Sequence, residues 1–343
     1  MIALLVSGLW SLVGMQGAQP ATAARPQSAN YDAIAKGDDS RIQVEAIDAA
    51  LQGYLAEDTS GRRRAPFLIA APRGTLAENT FAYGPIATLS RPVPPALVDA
   101  LLTAGQNEDR RVRREALFAL GSIGAAPTPE QAATLAALLK HDDPGTREAA
   151  AAVAGRLRIA SAGDALIEAI NDRDARVKAA AMRALGQIRD ERAVQGLNDQ
   201  LAHYKRGDLA LAAFEGLAGI GHASSVPAFE SALGDREAGA RRLGAEGLGR
   251  SGQAGSAAAL EAAFAREKDT FAQLAMTFAL CRLDQAYQHR LVEALRVPHT
   301  APQAFAYLLE LAPASRRTLE PLLRDPDERL RTLAQRALER MKR

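Results

Sequence analysis

A chain of 343 residues is long enough for two ordinary domains, or for one elongated array whose units support one another. Its 48% hydrophobic content is dominated by Ala and Leu rather than by the β-branched and aromatic residues that strands favour, so an all-α protein is expected. A net charge of +2 excludes a bulk polycation, and 5% aromatic residues argue against a stacking platform, so no nucleic acid partner is expected.

The first charged residue is Arg25, and before it MIALLVSGLWSLVGM is an uncharged apolar run. It is shorter than the roughly 20 residues of a membrane span and is diluted by Gln16, Gln19 and Pro20, so no stable membrane span is expected. Small residues at Ala21 and Ala23 make a cleavage site, with Ala18 as a second candidate, and residues 1–23 are read as a signal peptide without the usual basic start. The expectation is an exported protein, periplasmic or secreted, and the excess of Arg over Lys fits a GC-rich bacterial genome. Residues 24–39 are polar and predict a disordered leader. DSRIQVEAIDAALQGYL predicts an isolated helix capped at Asp39 or Ser40, with Ile42, Ala46, Ala49, Leu51 and Leu55 as its apolar positions. The stretches GRRRAPFLIAAPRG and YGPIATLSRPVPP are rich in Pro and Gly, so residues 40–94 are taken as a degenerate N-terminal helical cap.

From residue 95 a repeat emerges. With Val177 as anchor, Ala181, Ala184, Leu185 and Gly186 follow at fixed offsets, and the same pattern fits anchors at Val112, Thr146, Leu209, Ala240, Phe271, Thr300 and Leu330. Successive anchors lie 34, 31, 32, 31, 31, 29 and 30 residues apart. Between them fall i, i+4 apolar pairs, from Leu97 with Leu101 and Leu135 with Leu139 through Leu166 with Ile170, Leu197 with Leu201, Phe229 with Leu233, Leu260 with Phe264 and Leu291 with Leu295 to Leu319 with Leu323. Each unit is therefore two helices, the first small-faced for close approach and the second large-faced to fill space.

Charge bursts such as HDDPG, NDRDA and RDPDE precede the first helices, where acids cap and favour the N-terminal dipole. One residue after the anchor stands Arg113, Arg147, Lys178, Arg241 or Arg331, in five of eight units, which predicts a ladder of pairs with neighbouring acids. The helix EAGARRLGAEGLGRSGQAGS carries glycines that serve either close packing or flexing of the array. DARVKAAAMRALGQI and DRRVRREALFALGSI carry the pattern most fully, and through them residues 95–343 resemble HEAT-like repeats of the phycobilin-lyase type, about seven helix pairs with a half-unit at each end. The resemblance implies an α-solenoid, a superhelical array of antiparallel helix pairs.

No catalytic constellation is found: the five histidines share no ligand spacing, GRSGQAGS lacks the strand and lysine of a phosphate loop, and Cys281 sits among helical apolar residues as a structural thiol. Neither a metal nor a cofactor is expected. Just after the first Leu or Phe of the second helices stand Asp99, Glu168, Asp199, Glu230, Glu261, Glu293 and Glu320. In HEAT-like arrays the second helices line the concave surface, so the resemblance implies one acidic groove for a protein partner with a basic segment. The function expected is a non-enzymatic interaction scaffold or adaptor. A lyase-subunit-like or chaperone-like holder of a ligand or client is the alternative, and a nucleic-acid-binding role is disfavoured by the acids.

Overall fold

The computed structural model describes residues 31–37, 39–55, 93–283 and 287–341, so the segment read as a signal peptide and most of the Pro- and Gly-rich cap lie outside the described residues. Helices α1 (Tyr31–Lys36), α2 (Ser40–Leu55) and α3 (Pro95–Ala104) lead into α4 (Arg110–Ile123) and α5 (Pro129–Leu138). Then come α6 (Pro144–Arg156), α7 (Gly163–Ala169), α8 (Ala175–Ile188), α9 (Val194–Tyr204) and α10 (Asp208–Ile220). The series continues with α11 (Val226–Ala232), α12 (Ala238–Ser251), α13 (Ala257–Arg266), α14 (Thr270–Leu283) and α15 (Gln288–Arg296). It ends with α16 (Ala301–Glu310), α17 (Arg316–Leu319), continued by a 3-10 segment, and α18 (Glu328–Arg340). Among the described residues there is no strand, and no helix is long and apolar enough to cross a membrane.

The even-numbered helices from α2 to α14 form one layer, each packed on the next, and the odd-numbered helices form the other. The fold is the expected α-solenoid. Most anchors and paired apolar residues fill one continuous core, with Val112, Val177, Leu135, Leu166, Leu197, Phe229, Leu260 and Leu291 nearly inaccessible to water, whereas the anchor Phe271 and the paired Leu323 are exposed. Burying a large apolar side chain contributes about 1.5–3 kcal/mol, and no helix of this length is stable in water alone, so each pair depends on its neighbours. The aspartates of the charge bursts do cap. Asp109, Asp174 and Asp327 accept from the amides of Arg111, Arg176 and Arg329 at 2.7, 2.8 and 2.9 Å, and Asp143 accepts from Thr146 at 2.9 Å.

The basic residue after the anchor meets an acid of a neighbouring unit, as predicted, at Arg113, Arg147 and Arg241, but not at Lys178 or Arg331. Arg147 donates back through Nη1 to the carbonyls of His141 and Asp142 at 2.7 and 2.9 Å, while Nε and Nη2 hold both oxygens of Asp172 at 2.8 Å. Arg241 repeats this with the carbonyls of Asp235 and Arg236, both at 2.9 Å, and with Glu267 at 2.6 and 2.8 Å. Arg113 donates to the carbonyls of Asn107 and Glu108 and to the Thr146 hydroxyl, all at 2.8 Å, and lies 3.4 Å from Asp143. Lys178 reaches the Tyr204 hydroxyl at 3.0 Å, and Arg331 keeps only the backward half, to the carbonyls of Asp325 and Pro326.

Glycine enables close approach at two kinds of contact. A Cβ on Gly186 would lie 2.8 Å from the Gly216 Cα, so α8 and α10 meet backbone to backbone. A Cβ on Gly247 would lie 2.7 Å from the Phe229 ring, which makes that α12 glycine a packing residue, the first of the two uses considered for this helix.

Two expectations at the N-terminus are corrected. Residues 31–36 of the segment read as a disordered leader form α1, which packs on α3 and buries Ile34. Helix α2 is not isolated, since it packs on α4 as the other first helices pack on their successors. Its buried face is Gln43, Ile47, Ala50 and Leu51, whereas Ile42 and Ala49 are exposed. The reason is Gln43, which donates to the carbonyls of Ile34 and Ala35 at 3.3 Å and accepts from Asn107 at 2.9 Å, so a polar residue occupies the inward position. The cap is Asp39, accepting from the Ile42 amide at 2.9 Å.

Candidate binding cleft

The array curls so that α16 crosses over α14 and rests on α12, and the end of α16 reaches α8. First helices therefore lie inside the curve. At the crossing, Tyr307 is 1% exposed, stacks on Phe278 with ring centroids 4.5 Å apart, and donates its hydroxyl to Glu246 Oε1 at 2.6 Å. Glu246 also accepts from Arg242 at 2.8 Å and from Arg250 at 3.1 Å. Arg250 turns its other nitrogens to Glu310 at 2.9 and 3.2 Å, and Arg189 meets the same carboxylate from α8.

Burial opposes the charges in this clasp, and mutual pairing overcomes it. For Glu310, desolvation acts to raise the pKa, but Arg250 and then Arg189 outweigh it and hold the carboxyl below its ordinary value. Arg250 is likewise desolvated, yet Glu310 and Glu246 keep its guanidinium charged above the usual range. Burial first, and then Glu246, push the Tyr307 hydroxyl well above its ordinary value, so it remains a proton donor.

A cleft of about 910 Å³ opens between this clasp, the inner faces of α6, α8, α10 and α12, and the far wall of α16 and α18. Eight arginines and three glutamates line it, leaving five positive charges in excess. Glu215 accepts from Arg183 at 2.5 Å, and Glu246 and Glu310 belong to the clasp, so each cleft carboxylate already has an arginine. Arg158 stands exposed at the end of α6 with a φ of 53°. Phe305, Leu309 and Leu333 give the far wall an apolar patch.

The seven acids expected to share a groove stand exposed on the other layer, and none lines this cleft. Asp99 accepts from Gln131 at 2.7 Å, and Glu168 pairs with Lys140 at 2.9 Å. Asp199 accepts from Gln195 at 2.9 Å, Glu230 from the Ser256 hydroxyl at 2.7 Å and Glu261 from the Tyr287 hydroxyl at 3.4 Å. Glu293 and Glu320 meet Arg296 and Arg316 of their own layer at 3.5 and 3.7 Å. The placement of second helices on the concave side, taken from the resemblance, is thus reversed for this chain, because α16 folds back over the first helices. Sequence reading missed the cleft residues, although they recur six and ten positions after the anchors, as in Arg183 and Gln187, Glu215 and Gly219, and Glu246 and Arg250. Among the described residues no three of His, Cys, Asp and Glu converge as metal ligands would.

No curated protein matches the chain. Solved structures similar to it include the complex of CpcE and CpcF of phycocyanin lyase from Nostoc sp., 24% identical over 63% of this chain and 94% of that chain, with a TM-score of 0.45. Human deoxyhypusine hydroxylase in complex with glycerol is 19% identical over 72% of this chain and 96% of that one, with a TM-score of 0.33. Kap121p bound to Pho4p is 14% identical over 91% of this chain and 36% of that chain, with a TM-score of 0.42. The family described as HEAT repeats matches residues 86–154, 132–213 and 200–281, and with the two-layered array of helix pairs this settles that the chain belongs to the HEAT repeat proteins.

Proposed function

We propose that this protein is a non-enzymatic interaction scaffold that holds a basic segment of a partner protein along its second-helix layer. The observation that carries the reading is the state of three successive acids. Asp199, Glu230 and Glu261 recur every 31 residues on α9, α11 and α13, are exposed, and have neutral hydrogen-bond donors as their partners. Their charges are therefore available to an incoming cation, whereas Glu168 already holds Lys140. Neighbouring helices pack about 8–10 Å apart, so the three carboxylates make a row of about 16–20 Å. A row of one sign steers a complementary segment and fixes its register more than it supplies affinity.

The triple reversal Asp199→Lys, Glu230→Lys and Glu261→Lys tests the reading. All three side chains are exposed, so helicity and melting temperature should stay near wild type. A fluorescent Lys- and Arg-rich peptide that binds the wild-type chain at low salt should lose binding by more than tenfold. Equal binding by the variant sinks the proposal.

A further inference from the structure

We infer that the arginine-lined cleft is a second binding site, one that takes an extended acidic peptide segment bearing an apolar side chain. It lies on the first-helix layer and does not depend on the acidic row proposed above. Three observations converge on it.

The first is charge. The cleft holds five positive charges in excess, and its three glutamates are each neutralised by arginine. Concave low-dielectric walls concentrate the field of such a set, which raises the local concentration of anions. Guanidinium groups also recognise carboxylates through paired, planar hydrogen bonds.

The second is length. The cleft runs across four successive first helices, from Arg156 and Arg158 on the α6 side to Arg250 on α12. At about 8–10 Å per helix step the floor is about 24–30 Å long. Extended chain covers about 3.3–3.6 Å per residue, so seven to nine residues fit, whereas a compact anion would occupy one end. Gly155, Gly186 and Gly219 lie along this floor, where they let the successive first helices pack closely enough to make it continuous.

The third is the far wall. Phe305, Leu309 and Leu333 offer an apolar patch opposite the arginines of the floor and beside Arg329 and Arg336 of α18, so the occupant gains from one apolar side chain among its acids. Single-stranded nucleic acid is also extended and anionic, but it binds by stacking bases on aromatic faces, and Phe305 is the one aromatic residue in the lining.

The probe is a fluorescein-labelled nine-residue peptide of Glu and Asp with a central Phe, titrated with the full chain and read by anisotropy. Binding that weakens with added salt is expected, with no binding of the peptide in which Lys replaces each acid. Arg158→Glu together with Arg183→Glu should weaken binding by about tenfold or more. Glu215→Gln should do the opposite and tighten it, because Arg183 then loses its internal carboxylate, and a folding defect cannot produce a gain. The triple lysine variant of the second-helix row should bind the acidic peptide as the wild type does. The inference is overturned if the wild type ignores the acidic peptide, if a nine-nucleotide oligothymidylate binds more tightly, or if Glu215→Gln weakens binding or leaves it unchanged.

Discussion

The joints between neighbouring units and the clasp between α12 and α16 are built from the same chemistry, arginine against carboxylate, but they act over different distances. Arg147 meets an acid 25 residues away, and Arg241 one 26 residues away. Arg250 meets Glu310 across 60 residues, and Arg189 meets it across 121. A short-range joint adds to the interface between adjacent units, and in a solenoid such terms sum along the array. The clasp links units that are not neighbours in the repeat, so it is expected to hold the curvature that the summed rotations of the units produce, and with it the shape of the cleft. Separating the two therefore means measuring stability and shape together.

The largest effect is expected at the clasp. Glu310→Ala leaves the largely buried Arg250 with only Glu246 and the Ala218 carbonyl as partners, and removing one side of a buried pair costs about 3 kcal/mol. Thermal unfolding should fall accordingly, and small-angle scattering should show a larger radius of gyration as α16 lifts from α12. An unchanged radius would mean that local packing alone sets the curve. A smaller loss, about 2 kcal/mol, is expected for Arg147→Ala, which removes the pair with Asp172 and two bonds to backbone carbonyls. Here the radius should stay the same. If Arg147→Ala opens the array as far as Glu310→Ala does, the distinction between joint and clasp collapses.

The smallest effect depends on pH. The hydrogen bonds from Arg241 hold the Glu267 carboxyl down from 4.5 to about 2, further aided by the amides of Asp269 and Lys268. A depressed carboxyl stabilises the fold fully above its unfolded value, so the contribution is complete above about pH 4.5 and disappears as pH falls through about 2. Glu267→Gln should therefore melt below the wild type at pH 7, with the gap narrowing between pH 4.5 and pH 2. A gap that stays constant over that range would show that the joint acts by shape alone.

The fold was legible because its signal is local and repeated: an anchor, an alanine four later and a small residue at the close approach recur often enough to outweigh any single exception. The joints were legible for the same reason, since Arg147 and Arg241 hold one place in the unit. Helix α1 was missed because six residues are too few to show a period, and the face of α2 was misread because Gln43 is buried by bonds to another helix. The cleft has a different difficulty. Arg183, Glu215 and Glu246 occupy one register, but nothing local brings Tyr307 or Glu310 to them, since that depends on small rotations summed over several units. For the same reason the acids of the second helices could be picked out by position, while the layer that faces inward could not.

The reach of Glu310 back to Arg250 and Arg189 also limits how this array can change in evolution. Ordinary solenoids lengthen or shorten by duplicating or deleting a unit, with little consequence beyond the new ends. Here an inserted unit between α8 and α16 would displace Glu310 by about one helix spacing, 8–10 Å, far beyond the span of a hydrogen bond. The stretch from α8 to α16 is therefore expected to resist gain or loss of whole units among descendants of this chain, while units outside it remain free to vary in number.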